Sequence, residues 1–270
     1  MTSGIDPDEN AKQVRLLIAE AAAGGAAIIF TPEMTGLLDR DRLRAATVIR
    51  SEAEDLVLLA ARSEAKKAAI WVHLGSLAIK NADSPDQKWL NRSYLINPEG
   101  EIAARYDKIH LFDVDLSPEE SLRESSAYAG GDRAVMAAIP DATLGLSICY
   151  DLRFPALYEA LTNAGADVLA IPAAFTVPTG KAHWEILLRA RAIEAGAFVV
   201  AAAQHGRHED GRSTYGHSMV VDPWGEILLD MGEGGGLGFC DLDLGKVQEV
   251  RARVPAVANR KTFEMPINVS

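Results

Sequence analysis

The chain has 270 residues, 48% apolar and 24% charged, with 38 acids against 27 bases and a net charge of −11. This mixture excludes long disorder, collagen and coiled coil, and the length allows a full core without a disulfide or metal staple. So acidic a surface repels nucleic acid and anionic membranes. Two cysteines, Cys149 and Cys240, argue for a reducing compartment. The opening MTSGIDPDEN has neither a basic region nor an apolar core, and no apolar run approaches the ~18 residues of a membrane span. A cytoplasmic protein is expected.

Apolar spacing at Val14, Leu17, Ile18 and Ala21 predicts a helix that begins near Asp6 or Asp8 and ends at Gly24-Gly25. A short apolar run over 26–30, flanked by Gly and Pro, reads as a buried strand. A helix over 51–67 leads into a strand over 69–79, a polar loop and a hairpin turning at Asn97-Pro98-Glu99-Gly100. Residues 111–132 are acidic and poorly periodic, which reads as a long functional loop. Strands follow over 133–139 and 143–149, then a helix over 154–164, a strand over 167–171, a helix over 181–196 and a strand over 198–203. A meander over 216–221, 226–229 and 237–242 completes the pattern. Interleaved helices and strands with several hairpins predict an α/β fold, helices packed outside two stacked sheets. With no repeat and no linker, residues 1–270 read as one domain.

Cys149 ends the apolar run Leu144-Gly-Leu-Ser-Ile and precedes Tyr150-Asp-Leu-Arg-Phe-Pro155. A strand-to-helix turn exposes a side chain and aims backbone N–H groups into the same space, where they lower a thiol pKa and bind an oxyanion. The competing reading is a buried core cysteine. Cys240, in a predicted strand without polar neighbours, reads as packing. Glu33 follows a strand and Pro32, where a carboxylate can act as a base, although most glutamates are solvated. Lys108 has aromatic and apolar neighbours, so it is either a point charge for an oxyanion or a surface lysine. The six histidines lack metal-ligand spacing, and Gly-x-Ser-x-Gly is absent, so neither a metal site nor a serine elbow is expected.

Three segments together resemble the nitrilase, or carbon–nitrogen hydrolase, superfamily. Phe30-Thr-Pro-Glu33-Met resembles its glutamate motif, Tyr106-Asp-Lys108-Ile-His-Leu-Phe its lysine motif, and Leu146-Ser-Ile-Cys149-Tyr-Asp-Leu-Arg-Phe-Pro its cysteine motif, in the family's order. The resemblance implies a four-layer α-β-β-α sandwich whose usual first strand is missing here. It implies a cysteine nucleophile, Cys149, with Glu33 as base, Lys108 at the oxyanion and Glu124 as a second glutamate. Burial is expected to raise the Glu33 pKa towards neutrality. Tyr150, Arg153, Phe175 and Thr176 are the expected substrate contacts. The residues after Cys149 resemble amidase branches, implying hydrolysis of a small anionic amide through a thioester to acid plus ammonia, without metal or organic cofactor. Arg153 is expected to pair with a substrate carboxylate. A homodimer or higher homo-oligomer is implied, with Trp184 in the core or the interface. Arg189 and Arg191 are expected to pair with Glu185 and Glu194. An inactive homologue serving as a binding or assembly protein is the alternative from another class.

Overall fold

In the computed structural model, residues 1–82, 84–117 and 120–264 are described. Helix α1 (Pro7–Ala23) starts at Asp6, whose carboxylate accepts the Asp8 N–H, with Pro7 in the first turn. It leads through Gly24 and Gly25 into β1 (Ile28–Phe30). Helix α2 (Arg42–Val48) is capped by Asp41, and α3 (Leu56–Ala68) by Asp55. Strands β2 (Trp71–Lys80), β3 (Trp89–Ile96) and β4 (Ile102–Asp107) follow. The segment expected as a loop carries a hairpin, β5 (Asp113–Ser117) and β6 (Glu120–Arg123), a 3-10 turn over Glu124–Ser126, and β7 (Tyr128–Ala129).

Next come β8 (Val135–Ile139), β9 (Ala142–Leu146), a 3-10 turn over Cys149–Arg153 and α4 (Pro155–Asn163). Strand β10 (Val168–Ala170), α5 (Val177–Ala195) and β11 (Phe198–Ala201) alternate. The chain continues through β12 (His205–Arg207), β13 (Ser213–Tyr215), β14 (Met219–Val221), β15 (Ile227–Asp230) and α6 (Gly245–Arg253).

Two main sheets result. The first runs β1-β2-β3-β4, with β7 added beside β3, and the second runs β15-β14-β11-β10-β9-β8. In the first, β1 and β2 are parallel, while β2, β3 and β4 form an antiparallel meander. In the second, β9, β10 and β11 are parallel and the flanking strands antiparallel.

The first sheet is covered on both faces, which is why β2 is buried almost continuously rather than alternately. On one face Val14 and Ile18 of α1, Val57 and Leu58 of α3, and Val72, Leu74 and Tyr94 of the sheet share a core. On the other, Leu95 and Tyr106 join Leu144, Leu146, Val168 and Val199 of the second sheet and Leu188 of α5. Trp184 belongs to this second core and donates its indole N–H to the His217 carbonyl at 2.8 Å. Arg189 and Arg191 pair with Glu185 and Glu194 as expected, at 3.1 and 2.8 Å.

Several expectations are corrected. Residues 237–242 form no strand, and Cys240 is partly exposed, its thiol reaching only the Asp241 carbonyl at 3.7 Å. This segment flanks a cavity beside the outer edge of β1, where no described strand offers it a ladder. Helices α2 and α6 and the β12–β13 hairpin were not foreseen, and α5 begins four residues earlier than its spacing suggests. Among the described residues no strand precedes α1, and no helix is long and apolar enough to cross a membrane.

Candidate active site

Glu33, Lys108 and Cys149 each follow the C-terminal end of a strand, respectively β1, β4 and β9. The Glu33 turn packs against β2 at Gly75, where an added Cβ would collide with the carbonyls of Thr31 and Pro32. Thr31 and Thr35 bond each other, and Gly75 donates its N–H to the Thr31 hydroxyl. From the far end of the chain, the fully buried Gln204 donates to the Glu33 carbonyl at 3.0 Å and to the Ser3 hydroxyl at 2.6 Å.

Cys149 adopts φ +49°, a left-handed conformation that costs a non-glycine residue energy and recurs at functional turns. Asp151 holds this turn. Its buried carboxylate accepts the Ile148 N–H, the Tyr106 hydroxyl, and both the backbone and Nδ1 of His110. His110 in turn stacks on Phe154 at 3.6 Å. The cysteine turn is therefore tied to both residues that flank the Lys108 segment.

The side chains converge. Lys108 Nζ lies 2.8 Å from Glu33 Oε1 and 2.9 Å from Glu124 Oε2, with only 2% of the lysine residue exposed. Glu33 Oε2 accepts the Ala174 N–H at 2.9 Å, and the carboxylate also interacts with the Cys149 thiol. Glu124 Oε2 accepts the Phe112 N–H. Asn91, in β3, spans the two glutamates with one nitrogen, 3.0 Å from Glu33 and 3.1 Å from Glu124. Its buried Oδ1 has no partner among the described residues.

Charge follows from this geometry. Burial pushes the Glu33 carboxyl up, but the Lys108 charge and bonds from Lys108, Cys149 and Asn91 hold it below its ordinary value. The expectation of a raised Glu33 pKa is thus corrected, because the ion pair outweighs desolvation. Burial lowers Lys108, yet the Glu124 and Glu33 carboxylates keep it well above its usual range, so it stays charged. Cys149 is pushed well up by burial and by the neighbouring Glu33, overcoming the opposing Lys108 charge. The resting group is a neutral thiol beside an ionised carboxylate, not the acidic thiol expected from the turn's N–H groups.

These groups line a cavity of about 680 Å³. Six cations (Arg40, Arg42, Lys108, Arg123, Arg153 and Arg212) and three carboxylates line it, in a chain of net charge −11. Arg153 packs over Tyr150 and Phe175, at 5.9 and 5.5 Å from their ring centres, and touches His183. Thr176 stands immediately before α5, and its hydroxyl bonds that of Thr179. All four expected substrate contacts thus border the cavity. Asn91, Gln204 and Asp151 were not singled out as site residues from sequence; each acts through partners remote in the chain. Among the described residues no cluster of three or more His, Cys, Asp or Glu has metal-holding geometry.

Comparison with known proteins fits this arrangement. The model of the carbon-nitrogen hydrolase family matches residues 1–252. A deaminated glutathione amidase of Mus musculus is 41% identical over 97% of this chain and 81% of its own. One from Synechocystis sp. is 38% identical over 96% of this chain and 95% of its own. The crystal structure of the C. elegans NitFhit protein superposes with a TM-score of 0.89 at 36% identity, over 97% of this chain. This chain spans 63% of that longer worm protein, less than two thirds of it. The chain belongs to the carbon-nitrogen hydrolase family. It is a hydrolase of the amidase type within the nitrilase superfamily.

Proposed function

We propose that this chain is a cysteine amidase acting on deaminated glutathione, with Cys149 as nucleophile. The observation that carries the reading is the Glu33–Lys108–Glu124–Cys149 cluster in a cation-rich cavity. The names of the mouse and Synechocystis relatives support the substrate. Residues 1–270 act as one catalytic domain.

Glu33 takes the Cys149 proton as sulfur attacks the amide carbon, which removes the cost of preforming a thiolate. Lys108 and the Tyr150 N–H hold the oxyanion, while Glu124 and Asn91 keep Lys108 and Glu33 in place. Glu33 then passes its proton to the departing amine, the C–N bond breaks and a thioester forms. Water next gives a proton to Glu33 and attacks the thioester. The C–S bond breaks, the acid leaves and sulfur recovers the proton. Arg153 pairs with the carboxylate of the 2-oxo acid.

Ammonia, expected above as the leaving group, departs only from a primary amide such as 2-oxoglutaramate. Glutathione that has lost its amino group is joined through its amide to cysteinylglycine, so the dipeptide leaves. Purified protein should release 2-oxoglutarate and cysteinylglycine together, and Cys149→Ala should lower the rate about 10⁴-fold or more. Release that survives Cys149→Ala, or no release at all, overturns the reading.

We also read the protein as a cytoplasmic homodimer. Support comes from Ile186 and Ile193 of α5 and neighbouring Trp224, which are 69, 53 and 47% exposed. Light scattering of the purified chain tests it; a monomer at micromolar concentration sinks it.

A further inference from the structure

We infer that Arg42 binds a carboxylate carried by the leaving amine, so that the cavity accepts an amide that is anionic at both ends. This rests on the proposed function. Of the six cations around the cavity, Lys108 faces Glu33 and Glu124, Arg40 and Arg212 face Asp210, and Arg123 faces Asp115. Arg153 and Arg42 alone among them have no carboxylate partner among the described residues. Arg153 lies four residues beyond Cys149 and serves the acyl side. Arg42 lies elsewhere on the wall, exposed, at the first position of α2.

Both acids nearest Arg42 in sequence are already engaged. Asp39 forms a two-pronged pair with Arg44, and Asp41 accepts the Leu43 and Arg44 N–H groups as the helix cap. The Arg42 guanidinium instead donates to two neutral acceptors, the Ser126 hydroxyl and the Arg123 carbonyl. These fix its orientation without neutralising its charge. A planar, oriented cation on the wall of a binding cavity suits a carboxylate. In the proposed substrate, the glycine carboxylate of the leaving dipeptide is that group.

Arg42 is anchored to the 3-10 turn that carries Glu124, so its replacement can also disturb catalysis. The test must separate these effects. Deaminated glutathione and its glycine-carboxamide analogue are compared on the wild type and on Arg42→Gln, reading kcat/KM from 2-oxoglutarate release. The wild type should prefer the carboxylate about tenfold, mostly through KM, a modest factor because the pair is open to solvent. Added salt should narrow that preference. In Arg42→Gln the preference should vanish. A disturbed turn would slow both peptides alike and preserve the preference, which overturns the inference. So does a wild type that does not distinguish the two. A wild type that hydrolyses neither peptide overturns the proposed function itself, and the subsite with it.

Discussion

Two cavities of similar size lie on either side of the Glu33 turn, and they differ in the charged groups that border them. One, of about 680 Å³, is bordered by Glu33 and Met34 and contains the cysteine, the lysine and five arginines. The other, of about 570 Å³, is bordered by Thr31 and Pro32 and is walled by Leu17, Ile28, Val200, Met219, Leu229 and Phe239 among others. Asp241 is the sole charged side chain among the described residues lining it. Volume therefore does not define the reacting site. Convergent groups whose charges are set by one another do. The second space borders the outer edge of β1, and among the described residues it brings no such groups together.

Substitutions at Lys108 break the comparison most severely. Lys108→Met leaves the buried Glu33 and the partly buried Glu124 without their counter-charge, so turnover should disappear and stability should fall by about 3–5 kcal/mol. Without the lysine, burial raises the Glu33 pKa above its unfolded value. The deficit is then greatest at alkaline pH and shrinks as pH falls through that raised value. Chemical denaturation at pH 5 and pH 8 measures this; equal deficits would show that the pair is not electrostatically linked.

Asn91→Ala should act more gently, lowering kcat about 10- to 100-fold through misplacement of Glu33. It also removes a bond that favours the Glu33 carboxylate, so the acid limb of the pH–rate profile should move upward. In the wild type, Glu33 titrates below its unfolded value. Its contribution to stability is present above the ordinary carboxylate pKa and lost as pH falls through the depressed one. In Asn91→Ala that contribution should be smaller and its loss complete at a higher pH. An unmoved acid limb would make Asn91 a packing residue only.

The apolar side should give the smallest effects. Phe239, 52% exposed, covers Gly24 at the margin of the second cavity. Phe239→Ala should cost about 1 kcal/mol or less and leave kcat/KM unchanged. A loss of turnover comparable to that of Asn91→Ala would join the two cavities into one functional unit.

What the sequence revealed was what short-range pattern encodes. Helix α1 was legible from its spacing, its Asp6 cap and its glycine end, and Glu33, Lys108 and Cys149 from the segments around them. Hidden features depended on partners distant in the chain. Residues 237–242 have a strand-like composition, but a strand also needs a neighbour, and composition cannot supply one. Asn91 looks like an ordinary polar residue in a strand until Glu33 and Glu124 arrive from 58 and 33 residues away. The Glu33 pKa was misjudged for the same reason, since burial was foreseeable and the strength of the opposing ion pair was not. Helix α2 was hidden by its shortness and its polar, arginine-rich start.

The protonated state of Cys149 has a consequence for the life of the protein under oxidative stress. Peroxide attacks thiolates, and it attacks those that solvent can reach. A cysteine that is 7% exposed and holds its proton until an amide arrives meets neither condition well. Its reactivity is switched on by the substrate rather than stored in advance, so the nucleophile should outlast oxidant exposures that convert an acidic cysteine to sulfenic acid.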